Sequence, residues 1–223
     1  MKSLFRCLFL AGILLLGWSF SAMALFPQQG FGTLQVKNPG VKVIRDGKEQ
    51  MVGSLGLALM KKDVIQTDDK GKAQIALNTG DAIFVGPVTR LIVDESLTNQ
   101  GSSSGVRHIV LSVWGKIRSQ VKPDPKKKFE ILTTTATIGI KGTDFIVENV
   151  DDVTTVGTLN GLVMLSSQKN QNSVDIPPGK MSSVSPLGEV MPLTEFAGRL
   201  MQDMEFAGAK MKEEESSGAK IRL

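Results

Sequence analysis

The sequence predicts an all-β fold of short stacked strands, in a β-solenoid-like or sandwich-like arrangement, with one amphipathic helix at the C-terminus. Between residues 35 and 192, short apolar runs are separated by turn signals that recur about every ten residues. The glycines fall between these runs, where turns need them. After Pro192 the period changes, and apolar residues recur at three- and four-residue spacing, which is typical of a helix.

The first 24 residues have the pattern of a secretory signal peptide. Lys2 and Arg6 form a positive start, Cys7–Phe20 is almost wholly apolar or small, and Ala22 and Ala24 stand at the positions that a signal peptidase reads. We expect cleavage after Ala24, and the alternative is an uncleaved anchor, because the apolar stretch nearly reaches the ~20 residues of a membrane span. Cleavage would leave a cysteine-free chain, periplasmic or secreted from a bacterium, without a stable membrane span.

The predicted β domain covers residues 25–192. Its flexible breaks are the polar loop 98–105 and the proline- and lysine-containing loop 122–128. The strand-like runs are Val41–Arg45, Lys48–Val52, Ala73–Leu77, Ala82–Val85, Thr89–Val93, Arg107–Val121, Phe129–Thr133, Ile138–Ile140, Asp144–Glu148, Thr154–Leu159, Leu162–Leu165, Val174–Ile176 and Met181–Val184.

Residues 193–223 are predicted to form a helix of about four turns and a tail. Leu193, Phe196, Leu200 and Met204 share one helical face. A lone helix of this length is marginal in water, so its stability should come from packing. The stripe therefore packs either on the β domain as a cap or on a partner protein.

Composition excludes several classes of function. The net charge of +4 at pH 7 is too small to make a nucleic-acid binder the default. One His, one Cys and no Tyr leave most metal, thiol and acid–base chemistries without their usual side chains. Ser103 and His108 are the only serine-hydrolase pair, and their loop lacks the strand and helix of a nucleophile elbow. We predict no catalytic residue, no metal and no cofactor.

Two features are candidates for ligand contact. Trp114 is a potential stacking platform for a sugar, although a tryptophan in a β run is more often part of the core. Lys126, Lys127 and Lys128 are potential contacts for an anionic lipid or polysaccharide, although such a run is usually a solvated loop.

A motif in the second half resembles a known family. The segment Gly139–Phe145, with the sequence Gly-Ile-Lys-Gly-Thr-Asp-Phe, is similar to the hallmark of FecR-type domains, and Val156–Val163 is similar to the segment that follows it. The runs from Leu59 to Val93 resemble the first half of such a domain. Lys62 stands where a glycine usually precedes the aspartate, and Lys141 replaces the more usual arginine.

The resemblance implies the periplasmic module of FecR-type proteins. Sigma-factor regulators of the family carry a cytoplasmic helical domain and a membrane span ahead of this module; here only a leader precedes it, so anti-sigma activity is not implied. We expect the motif to be structural rather than a ligand site. Gly139 and Gly142 would supply backbone freedom or close approach, Thr143 and Asp144 would bond nearby amides, and Phe145 would enter the core.

These observations predict an exported, non-enzymatic module that binds another envelope protein or a polysaccharide, as a scaffold or a sensor subunit. The alternative is a cell-envelope carbohydrate-binding protein that uses Trp114 and the lysine loop. A third hypothesis, an envelope hydrolase, requires Ser103 and His108 to meet.

Overall fold

The computed structural model describes residues 30–53, 56–98, 106–202 and 204, with side chains omitted at 95–98 and 106–108. The predicted signal peptide, residues 99–105 of the polar loop and residues 205–223 lie outside the described residues. None of the helices in the described ranges is long and apolar enough to cross a membrane.

The described part of the chain is built almost entirely from β-strands. These are β1 Gly32–Asn38, β2 Val41–Arg45, β3 Lys48–Gln50, β4 Leu57–Leu59, β5 Val64–Thr67, β6 Lys72–Leu77, β7 Ala82–Val85, β8 Arg90–Thr98, β9 Val106–Gln120, β10 Lys127–Leu132, β11 Ala136–Ile140, β12 Asp144–Val150, β13 Val153–Asn160, β14 Val163–Ser167, β15 Ser173–Ile176, β16 Lys180–Val184 and β17 Thr194–Glu195, followed by a 3-10 helix at Gly198–Leu200. The all-β prediction is confirmed.

The strands form two layers that share β9. Layer one has the order β4-β1-β6-β7-β9-β12-β13-β16-β17. Layer two has the order β3-β2-β5-β8-β9-β10-β11-β14-β15. Every described pair of named strands is antiparallel except β9 with β10. The arrangement corresponds to the sandwich-like alternative, and the described strands show no solenoid of parallel coils.

Gly115 is the residue at which β9 passes from one layer to the other. Up to Trp114 the strand pairs with β8 in layer two, and from Gly115 to Gln120 it pairs with β12 in layer one. Gly115 has a φ of +107°, and a Cβ atom there would lie 2.5 Å from the carbonyl oxygen of Val88. The crossing therefore requires a glycine.

One hydrophobic cluster fills the space between the layers. Its fully buried members come from both sides, for example Ile75 and Phe145 from layer one and Leu111 and Leu165 from layer two. The period-two alternation of the strands explains this, because every second side chain of each strand faces the opposite layer. The other side chains form the two outer faces.

The predicted C-terminal helix is not seen in the part that is described. Thr194–Glu195 pairs with Lys180 and Met181 of β16, and Gly198–Leu200 is a single 3-10 turn. The edge of β16 supplies hydrogen bonds that compete with helix formation at the start of the segment. We call residues 194–202 together with Met204 the strap.

The strap nevertheless buries most of the predicted apolar stripe. Phe196 and Leu200 occupy the space that a side chain at Gly157 would need, and Met204 occupies the space beside Gly86. Leu200 and Met204 are fully buried on the outer face of layer one. Of the two predicted fates of the stripe, packing on the β domain is therefore the one observed, although as an extended strap.

Candidate functional site

The segment Gly139–Phe145 connects β11 in layer two to β12 in layer one. Gly142, in the turn, has a φ of +77°. A Cβ atom at this position would lie 2.5 Å from Cγ and 2.8 Å from Cα and N of Pro123. The backbone of the loop after β9 therefore presses directly on Gly142, and a side chain does not fit there.

Gly139 differs from Gly142, because nothing in the fold requires a glycine there. It lies within β11, between Glu130 of β10 and Met164 of β14, without a positive φ. A Cβ atom would meet only the Met164 side chain, whose Cε lies 3.2 Å away. Met164 is 47% exposed, so this methyl group can move aside. The bare backbone leaves open space on the outer face of layer two, where another molecule can approach closely.

Among the described residues, Asp144 accepts a hydrogen bond from a nearby side-chain amide, that of Gln120, whereas the Thr143 hydroxyl does not bond one. The Thr143 hydroxyl is buried and has no hydrogen-bond partner among the described residues. The Asp144 carboxylate accepts hydrogen bonds from Arg118 Nε and Nη2, at 2.9 and 2.8 Å, and from Gln120 Nε2 at 3.0 Å. The register explains this, because Asp144 lies opposite Gln120 and diagonal to Arg118 in the β9–β12 ladder. Phe145 is fully buried in the core.

Lys127 forms a buried ion pair inside the fold, and ligand contact by this residue stays a prediction. Its Nζ lies 2.7 and 2.8 Å from the two carboxylate oxygens of Asp81, and the two side chains are 3% and 0% exposed. The same carboxylate accepts hydrogen bonds from the Lys122 amide and the Thr79 hydroxyl. A buried carboxylate needs such a counter-ion, so this ion pair holds the start of β10 against the turn before β7.

Two open depressions adjoin the motif on either side of Lys141. One, of 480 Å³, lies between the loop 121–125 and Gly142. The other, of 470 Å³, lies on the outer face of layer two over Gly139. Both are lined by Lys127, Ile140 and Lys141, and we call them together the motif groove.

The floor of the motif groove is apolar and its rim carries lysines. Leu162 and Met164, which line the half over Gly139, are 50% and 47% exposed. Of the other lysines in the predicted contact, Lys128 lines the half over Gly139, and Lys126 is exposed beside the groove. The sequence did not reveal Leu162 or Met164 as surface residues, because both follow the apolar pattern of a strand.

Trp114 lies on the outer face of layer two, far from the lysine loop. The tryptophan is 38% exposed, and the guanidinium of Arg90, opposite it in β8, lies 4.8 Å from its ring centroid. Lys128 pairs with His108, six positions from Trp114 along β9, which corresponds to about 20 Å. The structure therefore does not bring Trp114 and the lysine loop into one site.

Asp63 forms a buried ion pair that the sequence did not reveal. It accepts hydrogen bonds from Arg45 Nε and Nη2, at 2.8 and 2.7 Å, and from the Met60 amide at 2.8 Å. The hydrogen bond to Asp63 raises the pKa of Arg45, and partial burial acts in the opposite direction. The residue before it, Lys62, has a φ of +68°, which explains why a glycine suits this position.

The hydrolase hypothesis falls on residues that the structure does not describe in full. Ser103 lies outside the described residues, and His108 is described by its backbone alone. Within the described ranges, no group of three or more His, Cys, Asp or Glu side chains could hold a metal ion.

Comparison with known proteins identifies the region that contains the motif. Residues 63–164 match the family model described as FecR protein. Two crystal structures of a candidate anti-sigma factor from Parabacteroides distasonis ATCC 8503 are similar to this chain, with 18% sequence identity and a TM-score of 0.48. The similarity covers 59% of this chain and only 59% of the chain that it matches. No curated protein matches the sequence.

Proposed function

We propose that this protein is a non-enzymatic envelope module that binds another envelope component, as a scaffold or a sensor subunit, because residues 63–164 match the family model described as FecR protein. The binding surface in this proposal is the motif groove. The groove adjoins the segment on which the resemblance to the FecR family rests.

The observation that carries the proposal is the bare backbone at Gly139. A glycine inside a strand weakens the strand and packs nothing, so its presence needs a reason. Gly142 has one inside the fold, in its positive φ and the contact with Pro123. Gly139 has none, and it lies under an open depression beside two exposed apolar side chains. Close approach of a partner to the sheet at this point would explain why the residue is a glycine.

The exposed apolar side chains support the same surface. Leu162 and Met164 are both close to half exposed, and they line the same half of the groove. Exposed apolar residues that are grouped and rimmed by charge are typical of protein interaction sites. The unbranched side chain of Met164 can adapt its shape to what binds there.

The proposed location is the periplasm or the outside of the cell, after cleavage of the leader at Ala24. The expected mature N-terminus is then Leu25, in a soluble envelope fraction. Mass spectrometry of the purified native protein checks this expectation, and an intact Met1 in the membrane fraction would contradict it.

A carbohydrate-binding role remains the second candidate, since Trp114 is a surface residue of layer two. Its site would be Trp114 with Arg90, without the lysine loop, because of the distance between them. Retention on immobilised envelope polysaccharide that is lost in Trp114→Ala would support this role. Equal retention of the wild type and the variant would argue against it.

Chemical crosslinking in the native envelope tests the main proposal. Captured components are identified by mass spectrometry for the wild type, for Gly139→Leu and for Thr137→Leu. Thr137 is a matched control because it lies two residues away on the same face of β11, outside the lining of the motif groove. We expect Gly139→Leu to lose a component that the wild type and the control retain, with unchanged melting temperatures. Identical capture by all three would contradict the proposal.

A further inference from the structure

We propose that the occupant of the motif groove is an extended, acidic segment of another polypeptide, with an apolar side chain over Gly139 and a carboxylate beside Lys141. This inference rests on the proposed function, because it names the chemistry of the partner at the same surface.

Two of the lysines at the groove are already neutralised. Lys127 is held by the buried carboxylate of Asp81. Lys128 Nζ lies 2.8 Å from Glu130 Oε1. Neither lysine adds a free charge to the groove, so the charge of its rim depends on the others.

Three other lysines leave one end of the groove positive. Lys122, Lys126 and Lys141 are exposed and form no ion pair with any of the described residues. The acid nearest to them in the loop, Asp124, is exposed and accepts a hydrogen bond from the Lys126 amide at 2.8 Å. The positive end of the groove thus lies around Lys141 and Gly142, and it favours a negatively charged partner.

The other end of the groove is apolar. Leu162 and Met164 line it, and Gly139 leaves the backbone bare between β10 and β14. An apolar side chain that enters here removes the exposed parts of both residues from water, which is favourable at about 25 cal/mol per Å² of apolar surface. The groove therefore offers two different chemistries at its two ends.

The distance between the two ends matches an extended peptide. Gly139 faces outward between the buried Ile138 and Ile140, and Lys141, which follows the end of β11, is exposed and lines the same depression. In an extended peptide, residues two positions apart are separated by about 7 Å. A peptide with an apolar residue and an acidic residue two positions apart places both on one face and reaches both ends.

The groove fits a peptide better than an anionic lipid or polysaccharide. Asp175 also lines the apolar half, and its negative charge would repel a ligand with many negative charges. The apolar floor is an open sheet surface and gives an acyl chain no enclosing walls. A single acidic segment with a neutral apolar part avoids both difficulties.

Peptide selection tests this inference on the full chain. Phage that display random 12-residue peptides are selected on the wild-type protein, and the enriched peptides are labelled and titrated by fluorescence anisotropy. Vesicles of phosphatidylethanolamine and phosphatidylglycerol are tested in parallel. The variants are Lys141→Glu, Gly139→Leu and, as a charge control, Lys48→Glu. Lys48 is exposed in β3, at the far edge of layer two.

We expect enriched peptides with an apolar residue and an acidic residue two positions apart. Their affinity should fall about tenfold in Lys141→Glu, be lost in Gly139→Leu and change less than about twofold in Lys48→Glu. Basic or purely apolar peptides, no enrichment, equal affinity for Lys141→Glu, or vesicle binding that depends on Gly139 would overturn the inference. If envelope crosslinks still depend on Gly139 in any of these cases, only the partner chemistry is wrong. Loss of that dependence as well would overturn the proposed function.

Discussion

Alanine at Gly142 and alanine at Gly139 should have opposite effects on stability, although both glycines belong to one motif. At Gly142 the left-handed backbone costs an alanine about 1–2 kcal/mol. The contact with Pro123 backbone atoms at 2.8 Å adds a cost of about 1–3 kcal/mol, as overpacking does elsewhere. The lower entropy of the unfolded alanine chain returns about 0.4–1 kcal/mol. We therefore expect Gly142→Ala to lose about 1–4.5 kcal/mol.

At Gly139 the expected change in the free energy of unfolding has the opposite sign. Alanine in a strand interior is favoured over glycine by roughly 0.5–1 kcal/mol. The only cost is a small shift of the Met164 methyl group, which is the free end of a half-exposed side chain. Gly139→Ala should therefore leave the free energy of unfolding unchanged or raise it by up to about 1 kcal/mol.

Urea denaturation followed by circular dichroism, with the two variants and the wild type side by side, measures these differences. In a separate thermal melt, Gly142→Ala should lower the melting temperature by roughly 2–18 °C for a domain of this size. A loss of more than about 1 kcal/mol in Gly139→Ala would show that the fold itself needs this glycine, and would remove the argument for a partner there. An unchanged Gly142→Ala would refute the account of the turn.

Three further predictions concern single side chains, and the same denaturation assay checks each. Lys127→Ala should cost about 3–5 kcal/mol because it leaves a buried carboxylate unpaired, whereas Lys128→Ala should cost about 0–1 kcal/mol; equal losses would contradict the burial of the first pair. Lys62→Gly should stabilise the protein by about 0.5–1 kcal/mol by relieving its positive φ, and a destabilised variant would show that the turn is not strained. Leu200→Ala should cost about 2 kcal/mol or more, because Leu200 is fully buried. Leu193→Ala should cost less than about 0.5 kcal/mol, because Leu193 is 41% exposed. If both variants were as stable as the wild type, the strap would not be packed.

The strands could be predicted from the sequence because each depends on a local pattern. The runs Val41–Arg45 and Ala82–Val85 coincide with β2 and β7. Alternating apolar residues between turn residues are enough to identify such strands. The same alternation shows which side chains of each strand point into the core between the two layers. The match to the FecR family likewise rests on a contiguous segment.

The strap and the groove could not be predicted, because they depend on contacts between distant parts of the chain. The spacing of Phe196, Leu200 and Met204 fits a helix equally well, and only the edge of β16 and the bare surface at Gly157 decide otherwise. Lys127 reads as a solvated lysine until Asp81, 46 residues earlier, is placed beside it.

The two motif glycines look alike in the sequence for the same reason. Pro123 distinguishes them, since it presses on Gly142 and leaves Gly139 free. The site was thus predicted as a segment, but its division into a structural turn and an open surface required the fold.

Site-specific photo-crosslinking tests the central claim, that the motif groove is the binding surface, most directly. A photoreactive benzophenone amino acid is placed at position 164, in the groove, and in separate proteins at 137 and 114, elsewhere on the same face of layer two. Each full chain is irradiated in the native envelope. The account predicts a discrete crosslinked product from position 164 that is abolished by Gly139→Leu in the same protein, and little from 137 or 114. Product from position 114 alone, or product from position 164 that survives Gly139→Leu, would contradict it.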